Sequence, residues 1–126
     1  CAAHKYWNGS WNYDQNFKVF GDDVRVHGHN YVLDITITGP INEDSGFIFD
    51  IQELKDIVND NVISKIDHSE IQKDIEWFKG KQPSIENLVL FIWENIVPYI
   101  NKPAKLHKIK LRETPTIFTE YYGPGE

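Results

Sequence analysis

From Tyr31 to Thr38 the residue types alternate: Tyr31, Leu33, Ile35 and Ile37 are apolar, while Asp34, Thr36 and Thr38 are polar, with Val32 the exception. A period of two predicts a β-strand buried on one face. Extended backwards, the same parity carries His27 and His29 onto the inward face, with Gly28 between them. Gly39-Pro40 ends the strand, and the run Asn42-Glu43-Asp44-Ser45-Gly46 predicts a hairpin loop. Phe47-Ile48-Phe49 then reads as the returning strand.

The period changes next. Asp50 stands where an N-cap is expected, and Leu54, Ile57, Val58 and Val62 follow at helical spacing, so a helix is predicted over residues 51–65. After a polar connection, Ser84 caps a second helix, whose apolar stripe of Leu88, Val89, Ile92, Trp93 and Ile96 stops before Pro98. Alternation returns over residues 106–113, where His107, Ile109, Leu111 and Glu113 share one face and Lys108, Lys110 and Arg112 the other. Residues 117–122 read as a last strand. At the other end, residues 1–6 read as the end of a strand carrying His4, and the aromatic stretch from Trp7 to Phe20 as an ordered loop. Antiparallel strands with two helices covering one face make an α+β arrangement, expected to be a single domain over residues 1–126. A sheet this small with bare edges is expected to pair with copies of itself.

Composition narrows the class. A chain of 126 residues with 25% charged and 40% hydrophobic residues matches a soluble globular domain with one core. No apolar run approaches the roughly 18 residues of a membrane-spanning helix, and no signal-peptide pattern is visible. The net charge of -6 argues against nucleic acid or an anionic membrane as the main partner. Cys1 is the only cysteine, so an internal disulfide is excluded and a reducing, cytoplasmic setting is expected. Four Trp, six Tyr and seven Phe are enough to fill a core and to stack on a flat ligand.

Two imidazoles on one face of a strand can converge on one metal ion. A His-x-His pair can equally be two ordinary histidines at a strand entry, so the rest of the chain has to decide. Asp67-His68 reads as a helix exit with an exposed imidazole. Glu113, ending a strand, fits a solvated surface charge.

With His4, the His27-Gly28-His29 strand, Asp67-His68, Ser84-Ile85-Glu86-Asn87 and Arg112-Glu113-Thr114 in this order, the chain resembles the 6-pyruvoyltetrahydropterin synthase family. That family includes the 6-carboxytetrahydropterin synthases of deazaguanine biosynthesis. The likeness runs from Ala2-Ala3-His4 to Glu120-Tyr121-Tyr122-Gly123. It implies the tunnelling fold, a four-stranded antiparallel sheet with two helices on one face, whose subunits join their sheets into a barrel. It also implies a trimer-based homo-oligomer, a hexamer, with active sites at subunit interfaces.

What the resemblance implies for the site is specific. His4, His27 and His29 would hold Zn2+ with an open fourth position. Glu113 would anchor the pterin, a carboxylate accepting two parallel hydrogen bonds from the amino-pyrimidine edge. Asp67 and His68 would handle protons. The implied substrate is a small-molecule pterin, 7,8-dihydroneopterin triphosphate, and the implied activity that of a lyase. Ser84 and Glu86 are explained by helix capping and are not counted as site residues.

One departure stands out. The family's usual catalytic cysteine lies shortly before the His-Gly-His, in a Phe-Gly-x-Cys context, whereas Phe20-Gly21-Asp22-Asp23 puts Asp23 at that place. Cys1, on the His4 strand, is expected to be a buried structural thiol rather than a relocated nucleophile. Three expectations follow from Asp23: a carboxylate base in an ordinary synthase, a retro-aldol variant giving 6-hydroxymethyl-dihydropterin, or an impaired member that binds zinc and pterin without turnover.

Overall fold

The computed structural model describes residues 1–125. Strand β1 (Ala2–His4) pairs antiparallel with β2 (His27–His29), setting His4 opposite His27 and Ala2 opposite His29. Strands β3 (Val32–Thr38), β4 (Lys105–Arg112) and β5 (Phe118–Tyr121) form an antiparallel sheet in the order β3-β4-β5. The expected four-stranded sheet is therefore divided into two strands and three. The division falls at Asn30-Tyr31, where the run changes partner: β2 pairs with β1, and β3 with β4. The alternation survives the break. His27, His29, Tyr31, Leu33, Ile35 and Ile37 are half-buried, and every residue between them is exposed.

The expected return strand over Phe47-Ile48-Phe49 does not form. Asn42 closes its own loop instead, its N–H donating to the Phe47 carbonyl at 2.8 Å and its carbonyl accepting from Gly46 at 2.7 Å. The inner edge of β3 is taken by β4, which lies far along the chain. A second correction concerns Trp7 to Phe20, because Tyr13–Phe20 is a helix, α1. Asn12 and Gln15 start it with a reciprocal capping box, Asn12 Oδ1 accepting from Gln15 N at 2.8 Å and Gln15 Oε1 from Asn12 N at 3.0 Å.

The predicted helix over residues 51–65 is present as α2 (Ile51–Val58), a π-helical turn (Asn59–Ile63) and α3 (Ser64–Ile66) in direct succession. The Asp50 carboxylate caps it by accepting from Gln52 N at 3.1 Å. The connection read as polar contains a short helix, α4 (Ile71–Asp74), and a 3-10 turn at Glu76–Phe78, and it buries Ile71, Ile75 and Phe78. Helix α5 (Ile85–Ile96) is capped by Ser84 as expected. Its Leu88, Ile92 and Ile96 pack with Ile109 and Leu111 of β4 in one apolar core. Each such side chain, fully buried, contributes about 1.5–3 kcal/mol.

A bulge in β4 corrects one face assignment. Thr36 pairs with Lys108 but Ile37 with Leu106, so His107 is an extra residue in the ladder. Leu106 turns inward and His107 is exposed, apart from the buried face of Ile109 and Leu111. Strand β1 is fixed on both sides, since Ala3 N–H donates to the Ser69 carbonyl at 2.8 Å while β2 holds its other edge. His4 is placed by that clamp. Cys1, expected to be buried, is exposed.

Candidate metal centre

The pairing of β1 with β2 brings three imidazoles to one point. His4 is wholly buried, and His27 and His29 are half-buried. One nitrogen of each ring lies within 4.8 Å of the others, a spacing that could hold a metal ion. His4 Nε2 and His27 Nε2 are only 2.9 Å apart. The outer nitrogens fix the protonation of two rings. His4 Nδ1 lies 3.0 Å from the Pro83 carbonyl oxygen, and His27 Nδ1 2.9 Å from that of Arg25. A carbonyl only accepts, so each Nδ1 carries the proton and each Nε2 offers a lone pair to the centre. Two lone pairs facing each other at that distance repel unless a proton or a metal ion lies between them. The donor set fits zinc, which takes neutral imidazole nitrogen.

Electrostatics favour the same state. Burial, and then the neighbouring His27 and His29, push the pKa of His4 down to about 4, so its ring stays neutral at physiological pH. A stability prediction follows for the metal-free protein. Between about pH 6.5 and 4 the unfolded chain binds a proton that native His4 refuses, so stability falls as pH drops through that window. The limiting loss is about 3 kcal/mol. Urea midpoints at pH 7 and pH 4.5 should differ accordingly, and the difference should shrink in His4→Gln.

Glu113, just beyond the end of β4, points into the same cluster. Its Oε1 lies 3.7 Å from His4 Nε2 and 3.6 Å from His29 Nε2, and its side chain is 12% exposed. The Tyr31 hydroxyl donates to that oxygen at 3.5 Å and lies 3.2 Å from His4 Nδ1. Burial, with Glu113 beside it, raises the Tyr31 phenol well above its ordinary pKa, so it remains a donor. An open groove of about 660 Å³ runs past His29, Asn30, Arg112 and Glu113.

Asp23 also arrives at the cluster. It sits in the 3-10 turn Gly21–Val24 that follows α1, and its Oδ1 lies 3.8 Å from His27 Nε2. Its side chain is 55% exposed, less screened from water than a base shielded by the aromatic loop would be. Asp67 and His68 are not brought in. They pair with each other, His68 Nδ1 to Asp67 Oδ2 at 3.1 Å, with side chains 40% and 81% exposed. Among the described residues no hydrogen bond or ion pair joins them to the three imidazoles. His68 does border a shallow cleft of about 330 Å³ that reaches Gly28 and His29. It holds φ = 61°, a left-handed backbone uncommon outside glycine.

Comparison with known proteins decides the family. Residues 1–124 match the family described as 6-pyruvoyl tetrahydropterin synthase. The chain belongs to that family. A 6-pyruvoyl tetrahydrobiopterin synthase of Drosophila melanogaster is 35% identical over 98% of this chain and 74% of its own length. A 6-carboxy-5,6,7,8-tetrahydropterin synthase of Rickettsia bellii is 30% identical over 86% of this chain and 93% of its own. The solved 6-pyruvoyl tetrahydropterin synthase structure of Caenorhabditis elegans superposes with a TM-score of 0.89 at 30% identity, covering 98% of this chain and 89% of that one. The α+β fold is thus that of a 6-pyruvoyl tetrahydropterin synthase.

Three contributors to the centre escaped the sequence reading. Tyr31 was readable from the parity it shares with His27 and His29. The carbonyls of Pro83 and Arg25 carry no sequence signal, because any residue supplies a carbonyl and only the fold aims it. No helix among the described residues is long and apolar enough to cross a membrane.

Proposed function

We propose that this chain is a zinc-dependent pterin synthase acting on 7,8-dihydroneopterin triphosphate, of the 6-pyruvoyl- or 6-carboxytetrahydropterin type. The carrying observation is the convergence of two fixed Nε2 lone pairs and a third imidazole beside Glu113, at the edge of an open groove. His4, His27 and His29 would hold the zinc. Bound there, the ion supplies Lewis-acid polarisation of side-chain oxygens, which acidifies the adjoining C–H.

The rest of the chemistry falls to side chains. Glu113 accepts two N–H bonds from the amino-pyrimidine edge and so sets which carbon of the side chain faces Asp23. Asp23 takes the proton from that carbon. Triphosphate then leaves by elimination from the neighbouring carbon. In the retro-aldol variant the base instead takes a side-chain hydroxyl proton, the C–O becomes C=O, and the pair of the broken C–C bond passes to the carbon attached to the ring. The Asp67–His68 pair is the other candidate base. Its exposure suits a site completed by a neighbouring subunit. Supporting assembly, β3 and β5 each have one edge unpaired among the described residues, and Val32, Ile117 and Phe118 are exposed beside them. We infer one domain, a trimer-based homo-oligomer built as a hexameric barrel, and a cytoplasmic setting. Light scattering should give a mass of several chains.

A second reading, a member that binds zinc and pterin but turns nothing over, is favoured by the exposure of Asp23, since water competes with substrate for so open a carboxylate. Equilibrium binding tests what both readings share. The metal-free protein should take up one zinc per chain, and the zinc-loaded protein should quench the fluorescence of added neopterin, with the quench lost in Glu113→Ala. Absence of zinc uptake would remove both.

A further inference from the structure

We propose that Glu113 is itself a ligand of the resting metal centre, closing the position that the three imidazoles leave open until a pterin ring draws the carboxylate away. The inference rests on the zinc site proposed above. Ligand atoms about 2.0–2.2 Å from one tetrahedral zinc lie about 3.3–3.5 Å from each other. Glu113 Oε1 stands 3.7 Å and 3.6 Å from His4 Nε2 and His29 Nε2, close to that separation from two of the three nitrogens. Asp23, the other carboxylate at the cluster, reaches one imidazole only, at 3.8 Å, and its side chain is far more exposed.

Charge balance points the same way. At 12% exposure the Glu113 carboxylate needs a compensating positive charge. Among the described residues its ion-pair partners are His4 and His29 alone, and no lysine or arginine pairs with it. The adjacent Arg112 turns away, donating to the Pro115 carbonyl at 2.9 Å and lying 5.2 Å from the Phe118 ring centroid. A dication held between those imidazoles would supply that positive charge. The backbone is set for this aim, with Glu113 N–H donating to the Ile117 carbonyl at 2.9 Å and Tyr31 holding Oε1.

The two parallel bonds to the amino-pyrimidine edge engage both oxygens of the carboxylate and fix its plane on the ring, away from its aim at the metal. Pterin binding would therefore open the fourth position as it engages Glu113, so the metal becomes available to substrate oxygen only when the ring is in place. The probes are zinc itself and the pterin-free protein. A crystal structure of the zinc-loaded wild type without pterin should place a Glu113 oxygen about 2.0–2.2 Å from the ion. Chelator competition should find zinc affinity in Glu113→Gln lower by more than about 10-fold, at least the loss that removing a supporting partner causes. A water in the fourth position with Glu113 beyond about 3 Å, or an unchanged affinity in a Glu113→Gln whose metal-free melting matches wild type, would overturn the capping role while leaving the three-histidine site intact. Failure of the wild type to bind zinc at all would overturn both.

Discussion

His29→Ala should lose stoichiometric zinc and, with it, all measurable turnover, while the metal-free chain keeps its fold. Of the three imidazoles, His29 is the cleanest to remove. His4 is wholly buried, so its truncation also leaves a cavity under Pro83, and His27 shares a 2.9 Å contact with it. The His29 side chain is 21% exposed against 1% for His4, so less packing is lost than at His4. Affinity for zinc should fall by more than about 100-fold, the upper end of what loss of a supporting partner costs. Metal content after dialysis, read beside the melting temperature of the metal-free protein, checks this. Full zinc occupancy in His29→Ala would contradict the three-histidine centre.

Asp23→Asn carries the second large effect. If Asp23 takes the substrate proton, turnover should drop by about 10²–10⁴-fold with zinc content unchanged. The carboxylate approaches the cluster only at 3.8 Å from His27 Nε2, and it is not needed to complete the donor set, so the two readouts separate. Asp23→Cys installs the thiol that the resemblance leads one to expect at this place, and a gain in rate or a switch of product would mean that the carboxylate redirects the reaction. Should Asp23→Asn match the parent, the base is the Asp67–His68 pair. In that case His68→Ala, which removes none of the three imidazoles of the centre, should abolish turnover.

Much of this was legible from one alternating stretch. The parity of Tyr31, Leu33, Ile35 and Ile37 carried His27 and His29 to the correct face, because a strand's period of two survives a change of partner strand. The helix stripe of Leu88, Ile92 and Ile96 was equally plain, being both periodic and capped. Helix α1 was missed although Asn12 and Gln15 spell its capping box, since exposed aromatics such as Tyr13 and Phe17 blur the apolar stripe. The return strand at residues 47–49 was expected because turn residues precede it. The chain instead closes a loop between Asn42 and Phe47, and the second edge of β3 stays unpaired among the described residues. The bulge at His107 and the break at Asn30-Tyr31 are likewise register events, which residue types do not encode locally.

For the site, the legible part was the set of side chains that the fold brings together, His4, His27, His29, Glu113 and Asp23. Placing His4 opposite His27 required a pairing between strands more than 20 residues apart, which only the resemblance supplied. The Pro83 and Arg25 carbonyls that fix the imidazole protons are backbone groups and left no trace in the sequence.

The most direct measurement is a product analysis. Zinc-loaded protein is incubated with 7,8-dihydroneopterin triphosphate, and the mixture is resolved for free triphosphate and for the pterin formed. A pterin synthase consumes the substrate with zinc-dependent formation of a 6-pyruvoyl, 6-carboxy or 6-hydroxymethyl pterin, and none forms with His29→Ala. Quantitative recovery of intact 7,8-dihydroneopterin triphosphate from fully zinc-loaded, correctly assembled protein would contradict the proposed activity.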